Sequence, residues 1–172
     1  MRVAVTGTPG TGKTTATALL EARIGGYDVV HCGELIASEG LYTGVDEERD
    51  SVIADIDALA VRLSGLDDVV IESHLAHHLE VDRVAVLRCR PDVLETRLRE
   101  RGESPAKATE NAESEALDII LAEAVDNHGL EAVHEIDTTD REPAAVADEI
   151  AAVVAGRREP TAGTVDFVGY LS

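Results

Sequence analysis

Residues 7–14 of the chain read Gly-Thr-Pro-Gly-Thr-Gly-Lys-Thr and fit the pattern G-x-x-x-x-G-K-[ST] at every position. Few segments of eight residues restrict a fold as tightly. Before them, Arg2 to Thr6 reads as a short buried strand, and after them Thr15 to Ala22 reads as a helix. Strand, glycine-rich turn and helix together aim backbone N–H groups and a helix N-terminus at one point, where an anion can sit. The loop therefore predicts a phosphate cradle. Gly10, Thr11, Gly12, Lys13, Thr14 and Thr15 are its candidate contacts with the ATP phosphates, Lys13 supplying charge near the β- and γ-phosphates and the Thr14 hydroxyl ligating Mg²⁺. An ordinary glycine-rich turn would explain neither the Lys-Thr pair nor its position after an apolar strand.

A length of 172 residues with 44% hydrophobic content suits a single domain. The sequence has no run of eighteen apolar residues and no basic-then-apolar leader, which predicts a cytoplasmic protein without a membrane span. Cys32 and Cys89 stand far apart, outside any C-x-x-C, and are expected as buried thiols. The formal charge is −19, and only Lys13 and Lys107 are lysines. Such a chain should repel DNA and acidic membranes. Acidity with scarce lysine also suggests a protein built for a salt-rich cytoplasm, where screening removes much of the self-repulsion.

Further strands are expected at Tyr27–His31, Asp67–Glu72, Val81–Cys89 and Glu131–Asp137, with apolar runs as a parallel sheet requires. The segment from Cys32 suggests a short helix closed by Gly40, a polar turn over 44–50, and a second helix resuming at Ser51 through Leu63. This excursion could receive a second substrate, or serve packing alone. Glu72 ends the third strand, where a phosphate-loop fold holds Mg²⁺ through its water shell, and His74 follows within reach of a phosphate oxygen or an attacking water. The histidines at 74, 77 and 78 raise the question of zinc, but no supporting ligand stands nearby in sequence, so His77 and His78 are expected to face solvent or cap the core.

Pro91 opens a helix, and Arg88, Arg90, Arg97, Arg99 and Arg101 place five arginines in fourteen residues of a chain otherwise poor in positive charge. Arginine grips phosphate through a rigid fork, although Arg99 reads as a surface partner of a helix carboxylate. The bridge from Gly102 to Ala106 has the makings of a lid, and a long helix beyond it should bury Leu117, Ile120, Leu121, Ala124 and Val125. From Gly156 periodicity is lost and a mobile tail is expected, although Phe167 and Tyr170 could dock it back. The element order fits an α/β, doubly wound, five-stranded parallel sheet of the P-loop nucleotide kinase type, with strand order 2-3-1-4-5 by analogy with such kinases. No guanine-reading N-K-x-D segment is visible. An excursion and an arginine-bearing lid favour phosphoryl transfer to a small acceptor.

Four stretches carry a resemblance: GTPGTGKTT at 7–15, GELIASEGLYTGVDEERDS at 33–51, IESH at 71–74, and RLRERG with KATENAESE across 97–115. With them the chain resembles the archaeal and nuclear adenylate kinases of the isoenzyme-six type. The resemblance implies a broad-specificity nucleoside monophosphate kinase using ATP and Mg²⁺, with an additional ATPase activity. It implies a domain over 1–155, with the monophosphate site over about 30–53 and the lid over about 99–109. Gly33, Glu34, Leu35, Tyr42, Asp46, Glu47 and His74 are then the substrate-binding residues, Lys13, His74 and Arg101 the catalytic ones, Arg101 also a cofactor contact, and Thr14 and Glu72 the metal-holding pair, Glu72 through water. The family's eukaryotic D-x-H is Glu72-x-His74 here, and its lid tyrosine is Glu103. AMP or another monophosphate is the implied acceptor and the protein a monomer. The resemblance also implies a part in maturation of the small ribosomal subunit, with its platform protein eleven as partner, or an alternative in which an assembly ATPase acts on a ribosomal precursor and kinase activity is weak.

Overall fold

In the computed structural model, which describes residues 1–172, five parallel strands form the centre. They are β1 (Arg2–Thr6), β2 (Asp28–His31), β5 (Val69–Glu72), β6 (Arg83–Arg88) and β7 (Val133–Asp137), in the order β2-β5-β1-β6-β7. By position among these five the order is 2-3-1-4-5, as the analogy anticipated. Side chains that alternate along each strand divide between two cores. Val3 and Val5, with Val70, Ala85, Leu87 and Ile136, meet α1 (Lys13–Ala18) and α7 (Pro143–Val154) on one face. Ala4, Val69, Ile71, Val84, Val86 and Val133 meet α2 (Cys32–Glu39), α3 (Ile56–Leu63) and α6 (Ile119–His128) on the other. A third cluster of Cys89, Leu94, Leu98, Ala108 and Ala112 joins α4 (Pro91–Glu100) to α5 (Pro105–Ala116). No helix is long and apolar enough to cross a membrane.

Local chemistry sets the helix ends. Proline opens α4, α5 and α7 at the first turn, where the missing N–H costs nothing. Ser104 caps α5 by accepting from the Lys107 N–H at 3.2 Å. The excursion departs from its sequence reading. Instead of a turn and then a helix from Ser51, β3 (Tyr42–Asp46) and β4 (Ser51–Ala54) form an antiparallel hairpin. Asp46 ties its turn through the Glu48 and Arg49 N–H groups at 3.1 and 3.2 Å, and β-branched Val52 and Ile53 suit a strand. Asp55 then caps α3 through the Ala58 N–H at 2.9 Å, which sets the helix start four to five residues later than periodicity suggested.

Two further expectations are corrected. The helical region after the bridge is broken at Asp118, which takes a left-handed φ of 56° and turns its carboxylate to Arg88. Leu117, expected in the core, is exposed at this break. Residues after Gly156 do not hang free. Thr161 bridges in parallel to His134 at the edge of β7, Phe167 covers the Arg88 guanidinium at 5.5 Å, and the Tyr170 hydroxyl donates to Glu95 at 2.8 Å. Of the two outcomes open for these aromatic residues, docking on the domain is the one observed.

Candidate active site

A cleft of about 1060 Å³ lies at the carboxyl ends of the strands. The phosphate loop forms its floor. Gly7 (φ 144°) and Gly10 (φ 93°) take backbone conformations closed to ordinary side chains. A Cβ on Gly7 would lie 2.5 Å from the Leu87 carbonyl oxygen, so the loop can approach β6 only as glycine. The loop is braced from behind: Glu115 of α5 accepts from the Thr8 hydroxyl at 2.6 Å, and the Thr138 hydroxyl donates to the Thr11 carbonyl at 2.9 Å.

Lys13 is buried and donates to the carbonyls of Gly7 (2.8 Å) and Thr8 (3.1 Å). Burial brings its pKa down to about 8, partly countered by Glu72 and Glu115. This is a costly place for an ammonium ion and a favourable one once phosphate arrives. Beside it, Glu72 stands buried with Oε1 3.5 Å from the Thr14 hydroxyl and Oε2 2.9 Å from His31 Nδ1. The oxygen donors of Thr14 and Glu72, side by side, suit a hard cation such as Mg²⁺.

His74 sits at the mouth of the cleft, open to solvent yet surrounded by protein mass. That desolvation, with Lys13 and His77 nearby, lowers its pKa to about 4, so the ring is neutral at pH 7. Gly33 and Glu34 line the cleft from α2, and Arg97 of α4 and Arg101 at its C-terminal end line it too, Arg97 reaching toward the carbonyls of Gly10 and Thr138 at 3.4 Å.

Among the remaining residues singled out in sequence, Gly10, Thr11, Gly12, Thr14 and Thr15 line the cleft, and Leu35, Tyr42, Asp46 and Glu47 do not. Leu35 packs on the core, Tyr42 is exposed on the hairpin, and Asp46 holds the hairpin turn. The hairpin lines the cleft through Val52 and Ala54 of β4, while its turn touches α5, where Arg49 pairs with Glu110 at 2.5 Å and the Lys107 ammonium donates to the Arg49 carbonyl at 3.3 Å. The five arginines separate into different roles. Arg88 is buried among Glu115, Glu135 and Asp118 and does not line the cleft, so it is not placed to grip a phosphate there. Arg90 pairs with Asp92, and Arg99 with Glu95 at 2.5 Å as expected of a helix-surface pair. His31, Ser73, Thr138 and Arg141 also line the cleft, and sequence reasoning passed over them. His31 could have been found, because it is the last residue of a strand neighbouring β5 and ligands bind at strand ends.

A family model described as an AAA domain matches residues 3–118. A candidate adenylate kinase of Natronomonas pharaonis is 61% identical over 99% of this chain and 100% of its own length. Candidate adenylate kinases of Halobacterium salinarum and Methanothermobacter thermautotrophicus are 60% and 44% identical, over 99% and 98% of this chain and 100% and 98% of their own. Among solved structures, a deoxyadenosine kinase of M. mycoides superposes with TM-score 0.58 at 15% identity, covering 92% of this chain and 100% of that one. A gluconokinase of Sinorhizobium meliloti gives 0.54 at 19%, covering 90% and 91%. These structural likenesses concern the fold.

Proposed function

The chain belongs to the archaeal adenylate kinase family, and on that premise we propose that it reversibly transfers the γ-phosphoryl group of ATP to a nucleoside monophosphate, AMP foremost. The observation that carries this reading is the convergence in one cleft of the phosphate loop, the Thr14–Glu72 oxygen pair and the guanidinium groups of Arg97 and Arg101. At about 1060 Å³ the cleft exceeds what one small ligand ordinarily fills, which suits a donor and an acceptor together.

Loop N–H groups and Lys13 hold the donor phosphates; Lys13 exchanges two carbonyl partners for phosphate oxygens, whose negative charge favours its ammonium form. Thr14 and Glu72 would hold Mg²⁺, Glu72 through water, and the cation would neutralise the β- and γ-oxygens. Arg101, with Arg97, faces the charge that develops during transfer. Gly33 and Glu34 line the same cleft from α2, which supports an acceptor region there, and we assign the monophosphate site to residues 30–53 and the lid to 99–109. A neutral His74 at an open mouth can accept a hydrogen bond from water, which favours ATP hydrolysis as a second outcome of the same site. A role in ribosomal subunit maturation rests on the family resemblance alone; a net charge of −19 is compatible with a basic protein partner.

Product analysis with ATP alone and with each of AMP, CMP, UMP and GMP, in molar KCl, tests this reading. Diphosphate formation with at least AMP is expected, lost in Lys13→Ala. No diphosphate with any acceptor would overturn the kinase reading and leave an ATPase. His74→Ala should depress hydrolysis more than AMP-dependent ADP formation; equal loss removes the separate role of His74.

A further inference from the structure

Behind the cleft, on the sheet face covered by α6, His77, His78 and Glu123 bring three ligating atoms together. His77 and His78 lie on the single 3-10 turn that follows β5, and Glu123 lies on α6, so the cluster was not visible as a sequence spacing. The Glu123 carboxylate oxygen is 2.9 Å from His77 Nε2 and 3.7 Å from His78 Nε2. The two imidazole rings lie 4.1 Å apart, tilted by 40°. We propose that His77, His78 and Glu123 form a binding site for a divalent transition-metal ion of the zinc type.

The geometry supports the assignment. Bonds of about 2.1 Å from one cation to atoms at these two separations subtend roughly 90° and 120°, within the range of a distorted tetrahedral centre. Two imidazoles and one carboxylate, with the outward side open to water, make a borderline-soft donor set that disfavours Mg²⁺ and Ca²⁺ and suits zinc or cobalt. His77 is held as a ligand should be. Its carbonyl accepts from His128 Nε2 (2.8 Å) and Asn127 Nδ2 (3.1 Å), and its Nδ1 meets the Thr6 hydroxyl at 2.8 Å. In the metal-free form the Thr6 hydroxyl donates to Nδ1 and Nε2–H donates to Glu123. When a cation binds Nε2, the ring proton resides on Nδ1 and the Thr6 hydroxyl becomes its acceptor, so neutral His77 needs no net proton release. Thr6 is the residue before Gly7, so the site would pin the 3-10 turn, α6 and the root of the phosphate loop to one another.

Other strong ligands compete little. Cys32 and Cys89 are buried, and desolvation raises their thiols to about 12 and about 11.

Titration of the untagged protein with Zn²⁺ by calorimetry and with Co²⁺ by visible absorption tests the site, with millimolar Mg²⁺ present to occupy the oxygen ligands of the cleft. One equivalent should bind, with the absorption of a four-coordinate cobalt centre and a rise in Tm. His78→Ala and Glu123→Gln should each weaken binding tenfold or more while leaving phosphotransfer with Mg²⁺ and ATP unchanged, since neither residue lines the cleft. Circular dichroism of both variants checks that they are folded. Absence of stoichiometric binding, or binding unchanged in either folded variant, would overturn the proposal.

Discussion

Replacing Arg88 by methionine should cost about 3 kcal/mol, and the reason lies in what the guanidinium leaves behind. Its Nε donates to Glu115 at 2.8 Å, Nη1 to Glu135 at 2.5 Å, and Nη2 to the Glu115 carbonyl at 3.1 Å and to Asp118. Removing one partner of a buried pair ordinarily costs about 3–5 kcal/mol, because the other charge stays buried and uncompensated. Here the lower value applies. Glu115 keeps donors from Thr8 and Cys89, Glu135 keeps the Thr164 N–H and hydroxyl and the Val165 N–H, and Asp118 is solvated enough to lose little. For a domain of this size, about 3 kcal/mol corresponds to a fall in Tm of roughly 6–12 °C. Urea unfolding at pH 7 in constant molar KCl measures it without changing ionic strength. Adding Glu115→Gln to Arg88→Met should return about 1 kcal/mol, since one of the two buried charges left without the guanidinium is then gone. A loss below about 1 kcal/mol for Arg88→Met, or a further loss on adding Glu115→Gln, would refute the reasoning.

Gly7→Ala should abolish nucleotide binding and destabilise by at least about 2 kcal/mol, because φ of 144° and the Leu87 carbonyl 2.5 Å away both exclude a Cβ; isothermal titration with ATP and a melting curve check it. Acid should unfold the protein from about pH 6.5 downward. His77 and His134 are buried and have folded pKa values lowered chiefly by that burial, so the unfolded chain binds protons first, stability is full above the unfolded pKa of about 6.5, and it is lost as pH falls toward the folded values. His134→Gln should flatten the upper part of that pH profile. Finally, Tm should rise between low and molar KCl, as screening relieves a net charge of −19; a Tm that does not rise would count against the salt-adapted reading of the composition.

Much of the scaffold was legible because its signals are local. Apolar runs marked the five central strands, Pro91 marked the start of α4, and the phosphate loop announced its own geometry, whereas Pro105, read as part of a bridge, in fact opens α5. The hairpin was missed because Val52 and Ile53 satisfy helical spacing as well as strand preference, and the deciding residue, Asp55, acts as a cap three residues ahead of its partner. Charge clustering in sequence was a poor guide to charge function. Arg88 and Arg97 are nine residues apart, yet one is locked in the core and the other lines the cleft, because only the fold determines which carboxylates reach them. Glu115 and Glu123, one bracing the phosphate loop and one meeting two histidines, are ordinary helix carboxylates until the sheet brings their partners to them.

The bridge at Thr161 has a consequence for how molecules of this protein meet one another. β7 is an outer strand of the sheet, and an outer strand offers a second copy a ready row of donors and acceptors. Thr161 takes up the Glu135 N–H at 2.7 Å and returns its own N–H to Val133 at 3.0 Å, while Thr164 and Val165 close over the Glu135 carboxylate. The docked segment thus acts as a guard against edge-to-edge association. In concentrated salt, where like charges no longer hold acidic proteins apart, a chain cut after Gly156 should form aggregates with cross-strand order that the full chain resists.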